Sequence, residues 1–236
     1  FSSKRWYIRT IIPLSSILFC IDNNWLGVIK NNKKMIKDCL IINCTGKDDS
    51  IALRINNKFF FKKLQTNIIK YEALSLAVLN FIKEQNVEID QKFSILVNSG
   101  PGSFSGIRIA LSVTKGIQLV KKMKIYSYNN FVLNAAPHLE KKDNLISIIK
   151  KNNYYYSSDR HIGKKFKFTE PKRLDLSYLR SNKSTVIISE ELKNDEIIKN
   201  IDKKKVCIVK FDLKNVDILI ENNLLENKLI NPLYLS

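Results

Sequence analysis

The sequence predicts an α/β protein built from two linked units, each of which begins with a meander of three strands. Short apolar runs that end at turns, as buried strands do, alternate with stretches of helical character along most of the chain. With 236 residues, 44% of them hydrophobic, the chain is long enough for one large or two small packed domains. We expect the units at 35–137 and 138–236.

The first unit combines its meander with two apolar helices. Its expected elements are strands at 39–44, 50–56 and 58–63, a helix at 67–83, a strand at 93–98, a helix at about 105–121, a strand at 124–127 and a helix at 131–136. Asn56 and Asn57 make the turn between the second and third strands. The helix at 67–83 is apolar nearly all round at 73–79, so we expect it to be covered on more than one side.

The second unit repeats this pattern in a shorter form. Its expected elements are strands at 145–150, 153–157 and 165–168, a strand at 185–188, a helix at 190–200 and a strand at 206–210. Asn152 and Asn153 fit a hairpin turn between the first two strands. The alternation of strand and helix after the meander is typical of an α/β unit.

Residues 1–34 differ in composition from the rest of the chain. Both tryptophans lie there, and a basic start precedes an apolar run at 11–21 that is too short to cross a bilayer. No small-residue cleavage pattern follows, so a secretory signal peptide is not favoured. We expect 1–34 to be an upstream extension of doubtful order, ahead of a start at Met35.

Two explanations of the formal net charge of +18 stay open. Lysine and arginine neutralise phosphates, so the charge fits a nucleic-acid partner. Most lysines, however, are spread along a chain rich in Lys, Ile and Asn, and biased composition explains the charge equally well.

The cysteines predict no metal site. They form no CxxC pair, and the two histidines lie far from all of them in sequence, so a zinc site is not expected. Scattered thiols of this kind are typical of buried, reduced cysteines, and we expect a cytoplasmic protein without a membrane segment. The cysteines are Cys20, Cys39, Cys44 and Cys207, and the histidines are His138 and His161.

The most informative segment is a glycine-rich run after the strand at 93–98. Four of the seven glycines of the chain lie at positions 100, 102, 106 and 116. Gly100 and Gly102 flank a proline, so the backbone must turn tightly between strand and helix. Ser103 or Ser105 can cap the following helix by accepting hydrogen bonds from its first amide groups.

Three functions compete for this turn. Amide groups at a helix start attract anions, which suits a phosphate cradle, but the Gly-Lys-Ser/Thr ending of a Walker loop is missing. A serine nucleophile is the second, but Gly102 to Gly106 reads Gly-Ser-Phe-Ser-Gly, which does not match the hydrolase elbow. The third is a packing turn that sets up a helix interface.

The helix after the turn favours the third function. Arg108, Ser112, Lys115 and Lys122 form one narrow polar stripe, and apolar side chains cover most of the remaining circumference. Covering a sheet needs only one apolar face, so we expect a second partner for this helix. The alternative is a helix enclosed on several sides within its own domain.

At this point the chain resembles a known family. The run GPGSFSGIRIALSVTKGIQL at 100–119 is similar to the signature of the TsaB family, also called YeaZ-like or glycoprotease-like proteins, which typically reads GPGSFTGLRIG. Ser105 replaces Thr and Ala110 replaces Gly. The hairpin at 42–53 is similar to the family's first hairpin, and 231–235 fits its C-terminal Pro-x-Tyr-Leu.

The resemblance implies an actin-like, sugar-kinase-like (ASKHA) fold with two RNase-H-like subdomains. It implies a non-catalytic subunit that binds the catalytic paralogue TsaD and, with the ATPase TsaE, supports threonylcarbamoyl transfer to the adenosine beside the anticodon of tRNA. ATP and threonylcarbamoyl-adenylate are then handled by the complex, and this chain binds no cofactor by itself. Whether the chain alone forms a homodimer stays open.

The same resemblance implies a set of site residues. The helices at about 67–83 and 104–121 are similar to those that join TsaB to TsaD. The motif turn is Gly100, Pro101, Gly102, Ser103, Phe104, Ser105 and Gly106. The expected partner contacts are Arg108, Ala110, Leu111, Val113, Thr114, Ile117, Leu74 and Val78.

Departures from the pattern of active relatives point away from independent catalysis. Asn43 stands where active ASKHA enzymes place an acidic residue that organises Mg²⁺, and Asp48 and Asp49 are expected to be solvated turn residues. His138 and His161 do not have the spacing of TsaD's paired metal ligands.

Three alternatives remain. They are an ASKHA-type ATPase or kinase, a glycoprotease-like peptidase, and a stand-alone RNA-binding module. Tyr154–Tyr156 near Lys150, Lys151 and Arg160 is the only candidate base-binding surface for the last, and strand alternation favours a half-buried aromatic strand there.

Overall fold

The computed structural model describes residues 36–46, 48–65, 71–140, 144–160, 167–227 and 230–235, all within one compact unit at 36–236. The expected extension at 1–34, the start of the helix at 67–83 and the first half of the strand at 165–168 lie outside the described residues. The division at 137/138 stays a prediction.

The first sheet has five strands in the order β3-β2-β1-β4-β5. β2 is antiparallel to both β1 and β3, whereas β4 and β5 continue the sheet parallel to β1. The elements are β1 Cys39–Asn43, β2 Ser50–Ile55, β3 Lys58–Lys63, α1 Tyr71–Glu84, β4 Ser94–Asn98, α2 Phe104–Lys121, β5 Lys124–Tyr128 and α3 Asn130–Ala135.

Sequence chemistry explains these elements. β1 and β4 are central strands, and each is a continuous buried run, which is why neither shows a polar alternation. Asn56 and Asn57 take φ values of 48° and 63°, the left-handed conformation that asparagine tolerates best after glycine, and so close the β2–β3 hairpin as predicted.

The second sheet repeats the order of the first, as β10-β9-β6-β7-β8. Its first three strands form an antiparallel meander, β6-β7-β8. On the other side of β6 lies β9, parallel to it, and β10 is parallel to β9. The elements are β6 Leu145–Lys151, β7 Tyr154–Arg160, β8 Lys172–Arg173, α4 Leu176–Ser181, β9 Thr185–Ser189, β10 Val206–Val209 and α5 Val216–Glu221. The predicted fold of two RNase-H-like sheets is therefore confirmed.

Two predictions for the second unit are wrong. The expected helix at 190–200 is a pair of 3-10 turns, Glu190–Leu192 and Glu196–Asn200. The break lies at Asp195, whose carboxylate accepts from the Ile197 amide and from Lys150 Nζ on β6, at 3.2 and 2.8 Å. The third strand of the sheet is Lys172–Arg173, and the described half of the expected strand, 167–168, is not in a strand. The chain rejoins β7 at Thr169, whose amide donates to Asp159 O.

Three apolar clusters fill the interior. One lies between the first sheet and the helices α1 and α2, a second joins the facing sides of both sheets with α3 and α5, and the third lies on the outer side of the second sheet under α4. Alternation along β1 divides its side chains between the first two clusters, since Leu40 and Ile42 enter one and Cys39 and Ile41 the other. Within the described part of the chain, none of the helices has the length and apolar character needed to cross a bilayer.

Two of the three described thiols are buried as expected, and the third is half-buried. Cys39 and Cys44 are fully buried and unpaired, and Cys207 is half-buried. Burial raises the pKa of the Cys39 thiol to about 12, so it stays protonated and unreactive at neutral pH.

Candidate functional site

The glycine-rich turn connects β4 to α2 at the carboxyl end of the first sheet. Gly100 has φ of 113°, a conformation that side chains rarely adopt, and the Gly100–Pro101 bond is cis. Ser103 begins α2 by accepting a hydrogen bond from the Gly106 amide at 3.2 Å, so the predicted serine cap is Ser103.

Two glycines of the motif allow the start of α2 to touch the end of β1. A Cβ at Gly102 would lie 2.1 Å from the Thr45 carbonyl oxygen, and one at Gly106 would lie 2.4 Å from that of Cys44. The Ser103 amide donates to the Thr45 carbonyl at 2.7 Å. Since protein carbonyls occupy this close approach, the geometry favours a packing turn over a phosphate cradle.

A hydrogen-bond network of three asparagines holds the glycine-rich turn in place. Asn98, the last residue of β4, is fully buried, and its Nδ2 donates to Asn43 Oδ1 at 2.8 Å and to Asn130 Oδ1 at 2.6 Å. Its Oδ1 accepts from the Gly100 amide, and Asn130 Nδ2 donates to the Pro101 carbonyl. The network therefore links the ends of β1 and β4 and the start of α3 through the glycine-rich turn.

The turn between β1 and β2 is more buried than the sequence suggests. Asn43 Nδ2 donates to the Asp48 carbonyl, and the Asp49 carboxylate accepts from the Gly46 amide at 2.7 Å. Asp49 is only 1% exposed, so the expectation that it is solvated is wrong. Burial raises the pKa of Asp49 to about 6.

A cleft of about 540 Å³ opens above these turns. It lies where the carboxyl ends of strands from both sheets meet, which is where α/β proteins generally bind ligands. Its lining comes from the β1–β2 turn, the glycine-rich turn, the start of α3 and the ends of β6, β9 and β10. Lys151 crosses this cleft from β6, and its Nζ donates to the Gly102 carbonyl at 3.1 Å.

The C-terminal segment packs against the glycine-rich turn. The Leu233 amide donates to the Ser99 carbonyl at 2.7 Å. The Tyr234 side chain packs against the start of α2. Its ring centre is 4.8 Å from that of Phe104, and its hydroxyl accepts a hydrogen bond from Arg108 Nε at 3.1 Å. The Arg108 guanidinium in turn stacks over the Phe104 ring at 4.1 Å.

This arrangement joins the two stretches on which the family resemblance depends most. The motif at 100–119 and the ending at 231–235 are more than a hundred residues apart in sequence, yet they share one surface. Sequence reasoning missed Tyr234 as a site residue, although the C-terminal Pro-x-Tyr-Leu pattern was the signal that marked it.

The expected partner contacts divide into buried and exposed residues. Arg108 is exposed and Ile117 is half-buried. The other six are buried within the chain itself, because α1 and α2 pack on each other and on the first sheet. These six are Leu74, Val78, Ala110, Leu111, Val113 and Thr114.

Other apolar side chains of the two helices reach the surface. On α1 they are Leu76 and Leu79, at 58% and 52% exposure, and on α2 they include Leu119, at 79%. Phe104 and Val120 are also exposed, and the predicted polar stripe of Arg108, Ser112, Lys115 and Lys122 lies on the same open side of α2. A partner that docks on these helices would meet this set rather than the six buried residues.

The exposure of the three tyrosines of β7 decreases along the strand instead of alternating. Tyr154 is 46% exposed, Tyr155 is half-buried and Tyr156 is 4% exposed. Arg160 is buried, and its Nη1 donates to the Leu139 carbonyl, so it belongs to the interior rather than to an open surface.

Comparisons with known proteins place the fold. No protein-family model matches the sequence, and neither does any curated protein. YeaZ from Pseudomonas aeruginosa is similar in structure, with a TM-score of 0.60 and 14% identity over 84% of this chain and 100% of that chain.

A second solved structure gives the same result. It is described as an uncharacterized protein with similarity to peptidase YEAZ from Pseudomonas aeruginosa, and has a TM-score of 0.60 and 13% identity over 85% of this chain and 100% of that chain. At these identities the likeness establishes the fold, and the predicted YeaZ-like architecture is confirmed.

Proposed function

We propose that this chain is a TsaB-type subunit, a non-catalytic scaffold that binds and activates a TsaD-like catalytic subunit in the threonylcarbamoyladenosine modification of tRNA. The observation that carries the proposal is the meeting of the motif turn with the C-terminal segment, through Phe104, Arg108 and Tyr234, on a YeaZ-like fold. The TsaE-like ATPase and the tRNA are further members of the proposed complex.

The exposed side of α1 and α2 supports a docking role. Leucines at 52–79% exposure are costly in water, and several on adjacent helices form the kind of surface that a partner covers. The stacked Phe104, Arg108 and Tyr234 lie at the start of α2, and aromatic and arginine side chains are enriched at protein interfaces. The proposed interface therefore runs along α2 from this stack toward Leu119.

The polar groups beneath the cleft support a structural role. The amide groups of Asn43, Asn98 and Asn130 are engaged with one another and with turn carbonyls and amides. Amides committed in this way hold the turns in place, and a neutral amide is a weaker Mg²⁺ ligand than a carboxylate. This chemistry fits a scaffold better than a phosphoryl-transfer enzyme.

The test is calorimetric binding to the TsaD-like subunit of the same organism. Leu119→Glu and Leu79→Glu should each weaken binding at least about tenfold, because each inserts a charge into an apolar contact. Leu176→Glu, on α4 and 38% exposed, is the matched control and should bind as the wild type does. If both helix variants fold, as judged by circular dichroism, and bind with unchanged affinity, the proposed interface is wrong.

A nucleotide-hydrolysing ASKHA enzyme is the second candidate, favoured by the cleft and the three lysines that line it, Lys150, Lys151 and Lys210. Under the scaffold proposal, the purified chain hydrolyses ATP no faster than a protein-free blank, with or without Mg²⁺. Turnover that Lys210→Ala abolishes would favour the enzyme instead.

A further inference from the structure

The edge of the second sheet carries an exposed stack of an aromatic ring and a guanidinium. The Arg173 guanidinium carbon lies 3.7 Å from the centre of the Tyr154 ring. Tyr154 is 46% exposed and Arg173 is also exposed. β8, which carries Arg173, is the edge strand of its sheet, and among the described residues no further strand pairs with it.

Strand register places a lysine on the same face as this stack. Lys151 pairs directly with Tyr154 across the β6–β7 hairpin, and Arg173 pairs with Tyr156. Since side chains two residues apart share a face of a strand, Lys151, Tyr154 and Arg173 project to the same side of the sheet. Lys151 also lines the cleft, whereas Tyr154 and Arg173 are not among its lining residues.

The surface around Arg173 is basic. Within the described ranges, no acidic side chain forms an ion pair with Arg173, whereas Lys172 beside it lies 3.8 Å from Asp159. The surrounding stretch 167–183 holds five basic and two acidic residues. The surface is thus locally basic on a chain whose net charge is +18.

We propose that Tyr154, Arg173 and Lys151 form a contact surface for unpaired nucleotides of RNA. An exposed tyrosine and an arginine plane are the groups on which unstacked bases lie, and lysine and arginine pair with the phosphates beside them. A fully paired helix keeps its bases stacked inside, so this surface selects single-stranded loops. An acidic peptide could pair with Arg173 and Lys151, but it has no bases to stack on the Tyr154 ring and the Arg173 guanidinium.

This inference goes beyond the proposed function, because this chain makes the contact without its partner subunit. Of the two explanations of the net charge, a nucleic-acid partner and biased composition, it assigns the first to one defined basic surface. The lysines spread elsewhere along the chain contribute only non-specific attraction.

The experiment measures binding of the full chain to two fluorescently labelled RNAs at about 50 mM salt, where phosphate contacts are strong. One RNA is a hairpin with an unpaired loop, and the other is a blunt duplex of equal length. The wild type should bind the hairpin at least about tenfold more tightly, since base stacking is the added interaction.

The variants separate stacking from charge. Tyr154→Ala and Arg173→Ala should each weaken hairpin binding about tenfold or more and duplex binding much less. Arg173→Lys keeps the positive charge but loses the planar guanidinium group, so it should still bind the hairpin more weakly than the wild type. Lys183→Ala removes an exposed charge of the stretch 167–183 that lies outside the stack. It should weaken binding of both RNAs equally and by about twofold at most.

Three results would overturn the proposal. The first is equal affinity for hairpin and duplex in the wild type, which indicates charge alone. The second is unchanged hairpin binding in Tyr154→Ala and Arg173→Ala. The third is displacement of the hairpin by ATP at a concentration near the dissociation constant of the RNA, which indicates a mononucleotide site. Because no partner subunit is present, these outcomes are independent of whether the TsaD-like subunit binds.

Discussion

At the scale of single residues, the least predictable feature is the asparagine network. Asn43 attracts attention in the sequence because a neutral amide replaces an expected acid, but nothing nearby in sequence indicates its partners. Asn98 and Asn130 follow it by 55 and 87 positions. Their meeting depends on β1 and β4 being adjacent parallel strands that end at the same edge, which is tertiary information that no local pattern carries.

We expect Asn98→Ala to lower the free energy of unfolding by about 2–4 kcal/mol, because it removes a fully buried amide and leaves its partners unsatisfied. Urea denaturation followed by circular dichroism measures the loss. Asn80→Ala, at an exposed position of α1, is the control and should change stability by less than about 0.5 kcal/mol. A loss below about 1 kcal/mol in Asn98→Ala would mean that the network does not stabilise the turn.

Asp49 should make stability depend on pH. Its pKa in the folded chain, about 6, lies above the ordinary value of 3.8, so the folded state favours the protonated acid. Its contribution to stability is therefore fully present below about pH 4 and is lost as the pH rises through 6.

Replacing this acid by a neutral amide should remove the pH dependence. Asp49→Asn should be more stable than the wild type by about 1–3 kcal/mol at pH 7.5 and show no such advantage at pH 4. Denaturant titrations of both proteins across this range measure the difference. A difference that stays constant from pH 4 to pH 7.5 would contradict the raised pKa.

At the scale of elements, the sequence predicted most of what the structure contains. The bounds of α2 and its serine cap followed from the glycine-rich turn, the polar stripe and the long apolar pattern. What failed was the assignment of faces. The apolar circumference of α2 predicts an external partner, but α1 and the first sheet cover most of it, including Ala110 and Val113. The apolar pattern of a helix shows how many of its faces are covered, but not which element packs against each face.

The close contact of α2 with β1 makes Gly106 the critical residue of this helix. In an ordinary helix, alanine in place of glycine stabilises by up to about 1 kcal/mol. Here the added Cβ would lie 2.4 Å from the Cys44 carbonyl oxygen, which belongs to backbone and cannot turn away. Gly106→Ala should therefore lower the free energy of unfolding by about 1–3 kcal/mol.

Thermal and urea denaturation test this expectation for α2. Ser112→Ala, on the exposed stripe of the same helix, is the control and should be neutral or slightly stabilising. If Gly106→Ala raises stability as Ser112→Ala does, the close approach is not a constraint on the fold.

At the scale of the whole described unit, the repeated succession of strands and helices was visible in the sequence, but the packing between the sheets was not. Periodicity indicated two meanders followed by further strands, although the third strand of the second meander was misplaced. It did not show that Cys39 and Ile41 of the first sheet share an apolar cluster with Leu145 and Ile187 of the second. Two units that share one cluster lose much of their independence, because neither can open without exposing the side chains of both.

Leu133 tests this coupling, because it lies on α3 within the shared cluster and is only 1% exposed. Leu133→Ala should lower the free energy of unfolding by about 2–5 kcal/mol through the cavity it leaves. Hydrogen exchange read by mass spectrometry should show equal loss of protection in peptides from β1–β2 and from β6–β7, since both open in one step. Val120→Ala, at an exposed site, should leave both unchanged. Loss of protection confined to one sheet would show that the sheets unfold separately and that the shared cluster does not couple them.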